Sequence, residues 1–381
     1  MERQVSEVKY ATPEGTARYR DKFRQILAED HFRLQQGLWM SSIGLGTYLG
    51  NDDDDTDRSY TESVVRAVEL GTNVIDSAVN YRFQRSERAV GAALRKLFDS
   101  GKVNRDEVII ATKGGFVPFE NHAPQSQEEM QDYFERQFIR PGILLPEDIV
   151  AGCHSLKPQY LQNQLDLSLQ NLGLECIDIY YVHNPETQLS EVPREEFYRR
   201  MLKAFEILER SVAAGKIRMY GTATWNAHRV PSNAKDYLSL CEMVDLAKTV
   251  GGEEHHFKVV QLPFNLAMPE AFGFWNQRSG EQPTSTLKLA EELGLTVMAS
   301  ASLLQAQLAQ NLPSQIAESL GGSLQSDAQR AIQFTRSTPG ISVALVGMSQ
   351  PAHVEHNLAL GRISPLPFEQ YRKLFKEPSS Q

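Results

Sequence analysis

One pattern recurs along this chain of 381 residues and narrows its fold more than any other feature: a helical stripe, a glycine or turn, then a short, nearly continuous apolar run. In "SYTESVVRAVELGTNVIDSA", Ser59 and Glu62 have capping-box spacing, Val64, Ala67 and Val68 form the stripe, and Gly71 closes the helix before a strand that ends at Asp76. "SERAVGAALRKLFDSGKVNRDEVIIATKGG" repeats the order, with Ser86 as the expected N-cap and a strand from Val108 to Thr112. Five further units follow, carrying the strands in "IDIYYVHN", "IRMYGTAT", "FKVVQLPFN", "LTVMASASLL" and "ISVALVGMS". With the opening strand in "SSIGLGTYLG" the count is eight. Unbroken apolar runs are what parallel strands buried on both faces require, and the helix before each supplies the crossover. Eight such units predict a closed (β/α)8 TIM barrel rather than an open doubly wound sheet.

The segment "HFRLQQGLWMSS" alternates around a glycine turn and predicts a hairpin plugging the barrel bottom. Residues 1–31 are expected to form a helical extension, either packed outside the barrel or a partly mobile arm, and 32–381 the barrel itself. A long segment, 116–157, interrupts the pattern and contains the helical-looking "QSQEEMQDYFERQF"; it is either a disordered loop or a functional one, such as a lid rich in aromatics with Phe116, Phe119, Tyr133, Phe134 and Phe138. Apolar residues at 41% and charged residues at 23% fit an ordinary globular chain. The formal net charge of -9 argues against a nucleic-acid partner, and no apolar stretch is long enough for a membrane span. Cys153, Cys176 and Cys241 show no CxxC spacing, which fits a reducing, cytoplasmic setting and offers no zinc site. "NDDDD", 51–55, lacks the spacing of a calcium loop and reads as a solvated loop, so no metal is expected. Oligomeric state is not written in these residues.

In a barrel of this kind the carboxyl ends of the strands form the active face. The second strand ends at Asp76, the third at Lys113 and the fourth at His183, and Tyr81 opens the loop after Asp76. Singly, each has a bland explanation: a turn cap, a snorkelling lysine, a core histidine, a packed tyrosine. Together they form a proton-transfer set. A phenol with its usual pKa of ~10 exchanges protons poorly at neutral pH, and a nearby ammonium brings that value down. Lys113 would supply the charge, Asp76 would keep Lys113 charged and oriented, and His183 would position a substrate oxygen.

These residues, with "GTNVIDSAVNYRFQRSERAVGAAL", "IIATKGG" and "YYVHNP", give a chain that resembles the aldo-keto reductase family from about residue 32 to about residue 362. The resemblance implies an NAD(P)H-dependent oxidoreductase reducing an aldehyde or ketone, with Tyr81 as general acid/base, Lys113 and Asp76 tuning it, and His183 orienting the carbonyl. It also implies a cofactor site built from Gly46, Thr47, Tyr48, Asp76, Thr224, Gln261, Ser300 and Leu303, with Gly347, Ser349, His353 and Asn357 at the adenosine end. Ser349 is expected to cap the helix that starts near Pro351. NADP(H) is implied ahead of NAD(H), although His353 stands where an arginine often grips the 2′-phosphate, which leaves the choice open. Two departures weaken the nicotinamide contacts: Ala223 and Thr224 replace the usual Ser and Asn, and Ser300 replaces a stacking ring. Tyr48, Asn184 and Trp225 are expected to face a small carbonyl substrate. "GLGTYLG" is not a Rossmann fingerprint, because its third glycine falls one position late. Two rival readings are a cofactor-binding regulatory or redox-sensing barrel with little turnover, and a lyase or isomerase using the same acid and base.

Overall fold

The computed structural model describes residues 8–320 and 324–375. The ends of the expected extension and barrel, 1–7 and 376–381, lie outside the described residues. Two strands, β1 (Phe32–Gln35) and β2 (Leu38–Ser41), pair antiparallel as a hairpin. The barrel strands are β3 (Ile43–Gly46), β4 (Val74–Asp76), β5 (Ile109–Gly114), β6 (Ile177–His183), β7 (Ile217–Ala223) and β8 (Phe257–Pro263). A short hairpin, β9 (Gln277–Ser279) with β10 (Gln282–Thr284), precedes the last two, β11 (Thr296–Ser300) and β12 (Val343–Gly347). The eight parallel strands close in the order β11-β12-β3-β4-β5-β6-β7-β8, which is the (β/α)8 barrel.

Helix α1 (Pro13–Lys22) precedes the hairpin, and α2 (Asp54–Glu69), α3 (Arg85–Asp99), α4 (Gln127–Phe134), α5 (Pro158–Leu172), α6 (Arg194–Ala213) and α7 (Leu240–Gly251) follow in order. Then come α8 (Glu270–Gly273), α9 (Thr286–Glu292), α10 (Ser314–Ser319), α11 (Asp327–Ser337) and α12 (Pro351–Leu358). Three helix starts differ from expectation. The Asp53 carboxylate accepts from Thr56 N at 2.8 Å, so α2 begins five residues before Ser59 and the acidic run becomes its N-cap and first turn, where the helix dipole favours negative charge. Gln84, in the left-handed region, starts α3, and Ser86 instead donates its hydroxyl to Thr47 O. Gln350, not Ser349, stands at the N-cap of α12, which has no side-chain cap.

Inside the barrel, alternate strand residues such as Val74, Ile109, Ile179, Met298 and Val343 form one apolar cluster that Leu38 and Met40 of the hairpin complete from below. Gly221 on β7 is required by close approach: a Cβ there would meet Val259 O at 1.6 Å, and the β7–β8 register shifts at this point. The N-terminal extension packs against the barrel over its described residues. Tyr19 is buried, Arg18 pairs with Asp106 and Glu107, and Lys22 pairs with Glu107.

Segment 116–157 builds its own small core of Val117, Phe138 and Leu144 against Tyr160 of α5. Phe119, Tyr133, Phe134 and Phe138 pack on one another in tilted and edgewise pairs, with centroids 5.3 to 6.1 Å apart. These rings therefore face each other, and of the five aromatics expected on a lid only Phe116 reaches the central cavity.

Candidate active site

Strand register aligns the polar ends. Gly46 pairs with Asp76 and Asp76 with Ala111; Lys113 stands two residues on, on the same face of β5, and His183 pairs with Ala223, which pairs with Gln261. Lys113 Nζ is buried and donates to Asp76 Oδ2 at 2.6 Å and to Ser77 O at 2.8 Å. Gln261 Nε2 donates to the other carboxylate oxygen, Oδ1, at 2.8 Å, so Asp76 is held from both sides. The Lys113 ammonium lies 4.8 Å from the centroid of the Tyr81 ring. That ring sits edge-on to Tyr48 at 4.9 Å and to His183 at 5.8 Å.

What holds Tyr81 in place is a feature the sequence did not announce. Arg82, Phe83 and Gln84 all have positive φ, a conformation costly for residues with side chains. Arg82 is buried and anchors the turn, donating to Ser86 Oγ, Asn51 O and Asp57.

Burial sets the site's electrostatics. It works against the Lys113 ammonium, but Asp76 and then Tyr81 more than offset it, and the Lys113 pKa is raised. Burial also pushes the Tyr81 hydroxyl up, with Lys113 pulling it down and Asp76 pushing it up again. The outcome corrects the simpler expectation of a lowered phenol: Tyr81 rests protonated beside a cation. His183 stands well below its ordinary value because of burial, then the Lys113 and His154 charges, so its ring is neutral. Among the described residues His183 Nδ1 has no hydrogen-bond partner. Its carbonyl accepts from His154 Nε2 at 2.7 Å.

Above this set opens a cavity of about 430 Å3. Gly46, Thr47, Tyr48, Asp76, Tyr81, His183, Asn184, Thr224, Trp225, Gln261, Ser300, Leu303 and Gly347 all line it, while Lys113 lies beneath, behind Asp76. Ser349, His353 and Asn357 do not line this cavity. His353 is exposed on α12, Asn357 is buried, and Ser349 O accepts from Ser59 Oγ. Several lining residues escaped sequence reasoning, Leu49 and Leu345 among them, and two places stand out. Asn80, directly before Tyr81, is one. The other is the loop after β11, where Ala301, Leu304, Gln305 and Ala306 take positive φ without a glycine or proline to signal it.

Residues 42–376 match the Aldo/keto reductase family. The chain belongs to that family. It is 28% identical over 211 residues to the NADH-specific methylglyoxal reductase of Escherichia coli (strain K12), a match covering 54% of each chain. It therefore spans about half the length of that relative. A Schizosaccharomyces pombe protein described as a candidate voltage-gated potassium channel subunit beta is 25% identical over 338 residues, 85% of each chain. Among solved structures, the aldo-keto reductase from Klebsiella pneumoniae in complex with NADPH matches with a TM-score of 0.61 at 21% identity, over 93% of this chain and 98% of that one. That likeness is one of fold.

Proposed function

We propose that the protein is an NAD(P)H-dependent oxidoreductase that reduces an aldehyde or ketone to an alcohol. The observation that carries this reading is the buried Lys113–Asp76 pair beneath Tyr81, beside a neutral His183. A carbonyl oxygen between Tyr81 and His183 would receive a hydrogen bond from the neutral imidazole and the proton from the phenol. Lys113 stabilises the phenolate left behind, and Asp76, fixed by Gln261, keeps the ammonium in place. The nicotinamide dinucleotide, when bound, supplies the hydride to the carbonyl carbon. The residues present fit such a group. The cavity runs from Tyr81 past Gln261 and Leu303 to Gly347, where a Cβ would meet nothing within 4 Å. Gly46, Thr47, Tyr48, Asp76, Thr224, Gln261, Ser300 and Leu303 would hold its nicotinamide half, with Gly347, Ser349, His353 and Asn357 at the adenosine half. Tyr48, Asn184 and Trp225 would wall the substrate.

NADP(H) is proposed ahead of NAD(H). Support is mixed: solved neighbours carry NADP or NADPH, and the Escherichia coli relative is named NADH-specific. The second reading, a cofactor-binding barrel with little turnover, draws on Ala223 and Ser300 at the nicotinamide and on the channel-subunit relative. Among the described residues no helix is long and apolar enough to cross a membrane.

The test is a fluorescence titration of the purified protein with NADPH and with NADH, followed by turnover of a small aldehyde. Binding with turnover supports the reductase. Binding without turnover favours the regulatory reading, and binding of neither overturns both.

A further inference from the structure

The loops after β6 and β7 hold each other by a reciprocal clasp. In one direction Asn184 N donates to Ala223 O at 2.6 Å, with Asn184 in the left-handed region at φ 42. In the other, the Glu186 carboxylate reaches across: its Oε1 accepts from Trp225 N at 2.6 Å and from Asn226 N at 3.2 Å. Glu186 is 7% exposed, and among the described residues its Oε2 has no partner. Burial drives the carboxyl up to about 7, and the N–H groups of Trp225, Glu186, Asn226 and Ala227 hold it down. A carboxyl buried with only backbone donors is expensive to keep. Its place on the loop that presents Trp225 gives it a use.

Trp225 and Asn184 together border two cavities. One is the central cavity of about 430 Å3; the other, about 460 Å3, lies on their far side and is lined by Glu186, Thr187, Ser190, Lys235 and Asp236. The indole is 40% exposed and, among the described residues, makes no ring contact with another aromatic side chain. Its backbone is held on both sides: the nitrogen donates to Glu186, and the carbonyl accepts from Arg229 Nη1 at 3.4 Å.

We infer that Glu186 is a positioning residue that sets substrate length: by holding the backbone of Trp225 it keeps the wall between the two cavities closed, so the site favours short carbonyl compounds over elongated ones. This rests on the reductase reading above. With the wall held, the site ends at the indole and a short aldehyde is confined against Tyr81 and His183. With the wall released, the far cavity becomes available to a longer chain.

The experiment compares propanal with cinnamaldehyde as substrates of the wild type, Glu186→Ala and Glu186→Gln. For Glu186→Ala the ratio of kcat/KM for propanal over cinnamaldehyde is expected to fall about tenfold, mainly through KM, as the loss of the hydrogen bonds to Trp225 N and Asn226 N would give. Cofactor affinity should be unchanged. Glu186→Gln keeps an acceptor oxygen for the two N–H groups and should restore the wild-type ratio. An unchanged ratio in Glu186→Ala overturns the inference, as does a parallel loss of kcat, cofactor affinity and thermal stability. Should Glu186→Ala fail to fold, Trp225→Ala tests the wall directly, and an unchanged ratio there is equally fatal.

A second readout needs no turnover. Acrylamide quenching of Trp225, taken as wild type minus Trp225→Phe, is expected to rise in Glu186→Ala, and no rise means that Glu186 does not hold the indole. If the wild type reduces neither aldehyde with either cofactor, the reductase reading fails, while the quenching result still decides whether Glu186 fixes Trp225.

Discussion

Strand β6 carries a buried ionisable group near each of its ends, and the two are treated in opposite ways. At the start, Asp178 is fully enclosed and satisfied: Oδ1 accepts from Ala11 N at 2.7 Å, and Oδ2 from Ile110 N and Arg105 Nη2, each at 2.8 Å. At the other end, His183 is nearly as buried yet leaves Nδ1 unpaired, with its ring between Tyr81 and Phe116. A satisfied buried charge ties elements together, whereas a neutral ring on the wall of a cavity can meet a partner that arrives later. The lower end of the strand serves the fold, and under the proposed function the upper end serves the chemistry.

The sharpest way to test that division is to act at the upper end alone. Tyr81→Phe removes one hydroxyl and leaves the Lys113–Asp76 pair intact, so carbonyl reduction should fall by at least about 10³-fold while cofactor affinity and folding stability change little. Steady-state kinetics beside a cofactor titration decides it. Residual turnover near wild type would mean that another group supplies the proton.

The lower end should respond in the reverse sense. Asp178→Ala leaves the half-buried Arg105 without its carboxylate and frees the nitrogens of Ala11 and Ile110, which is expected to cost about 3 kcal/mol of stability. Urea denaturation measures the loss, and kcat of the folded variant should stay within about twofold of wild type. A large drop in kcat with stability intact would break the comparison.

His183→Ala sharpens it from within the same strand. Loss of the ring removes a hydrogen-bond donor from the carbonyl oxygen, expected to lower kcat/KM about 10²-fold, with a smaller effect on stability than Asp178→Ala has.

The two ends also differed in how far the sequence revealed them. The eight strands were legible because their apolar runs are continuous and each is preceded by a stripe of helical period, and both signals are local. Asp76, Lys113 and His183 were legible because each closes such a run. Where α2 begins was less so: Asp53 and Ser59 can both cap a helix, and a three-dimensional choice among local rivals settles it. Asp178 looked like one polar residue in a strand, since its partners at 11, 105 and 110 come from distant segments. Glu186 was invisible for the same reason, its partners being backbone nitrogens 39 and 40 positions away. The left-handed residues at 82–84, 301 and 304–306 are neither glycine nor proline, so their turns are imposed by packing, not by propensity.

The smallest effect concerns protons and separates histidines at the two ends. His31, below the barrel, bonds to Gly71 O and lies near Ser42 Oγ; burial and then Arg336 lower its pKa to about 3, against an ordinary 6.5. The unfolded chain therefore binds a proton that the folded one refuses. The stability tied to this ring is complete above about pH 6.5 and is lost as pH falls from there toward 3, by about 1.4 kcal/mol per pH unit below the unfolded value. His154 and His228, lowered to about 4 by burial, act in the same direction. Denaturation midpoints measured between about pH 7 and about pH 5 should therefore fall with acid, and His31→Gln should make that fall shallower without altering the pH profile of turnover, because the ring lies far from Tyr81. A turnover profile that moved with His31 would mean that the lower end of the barrel reaches the chemistry after all.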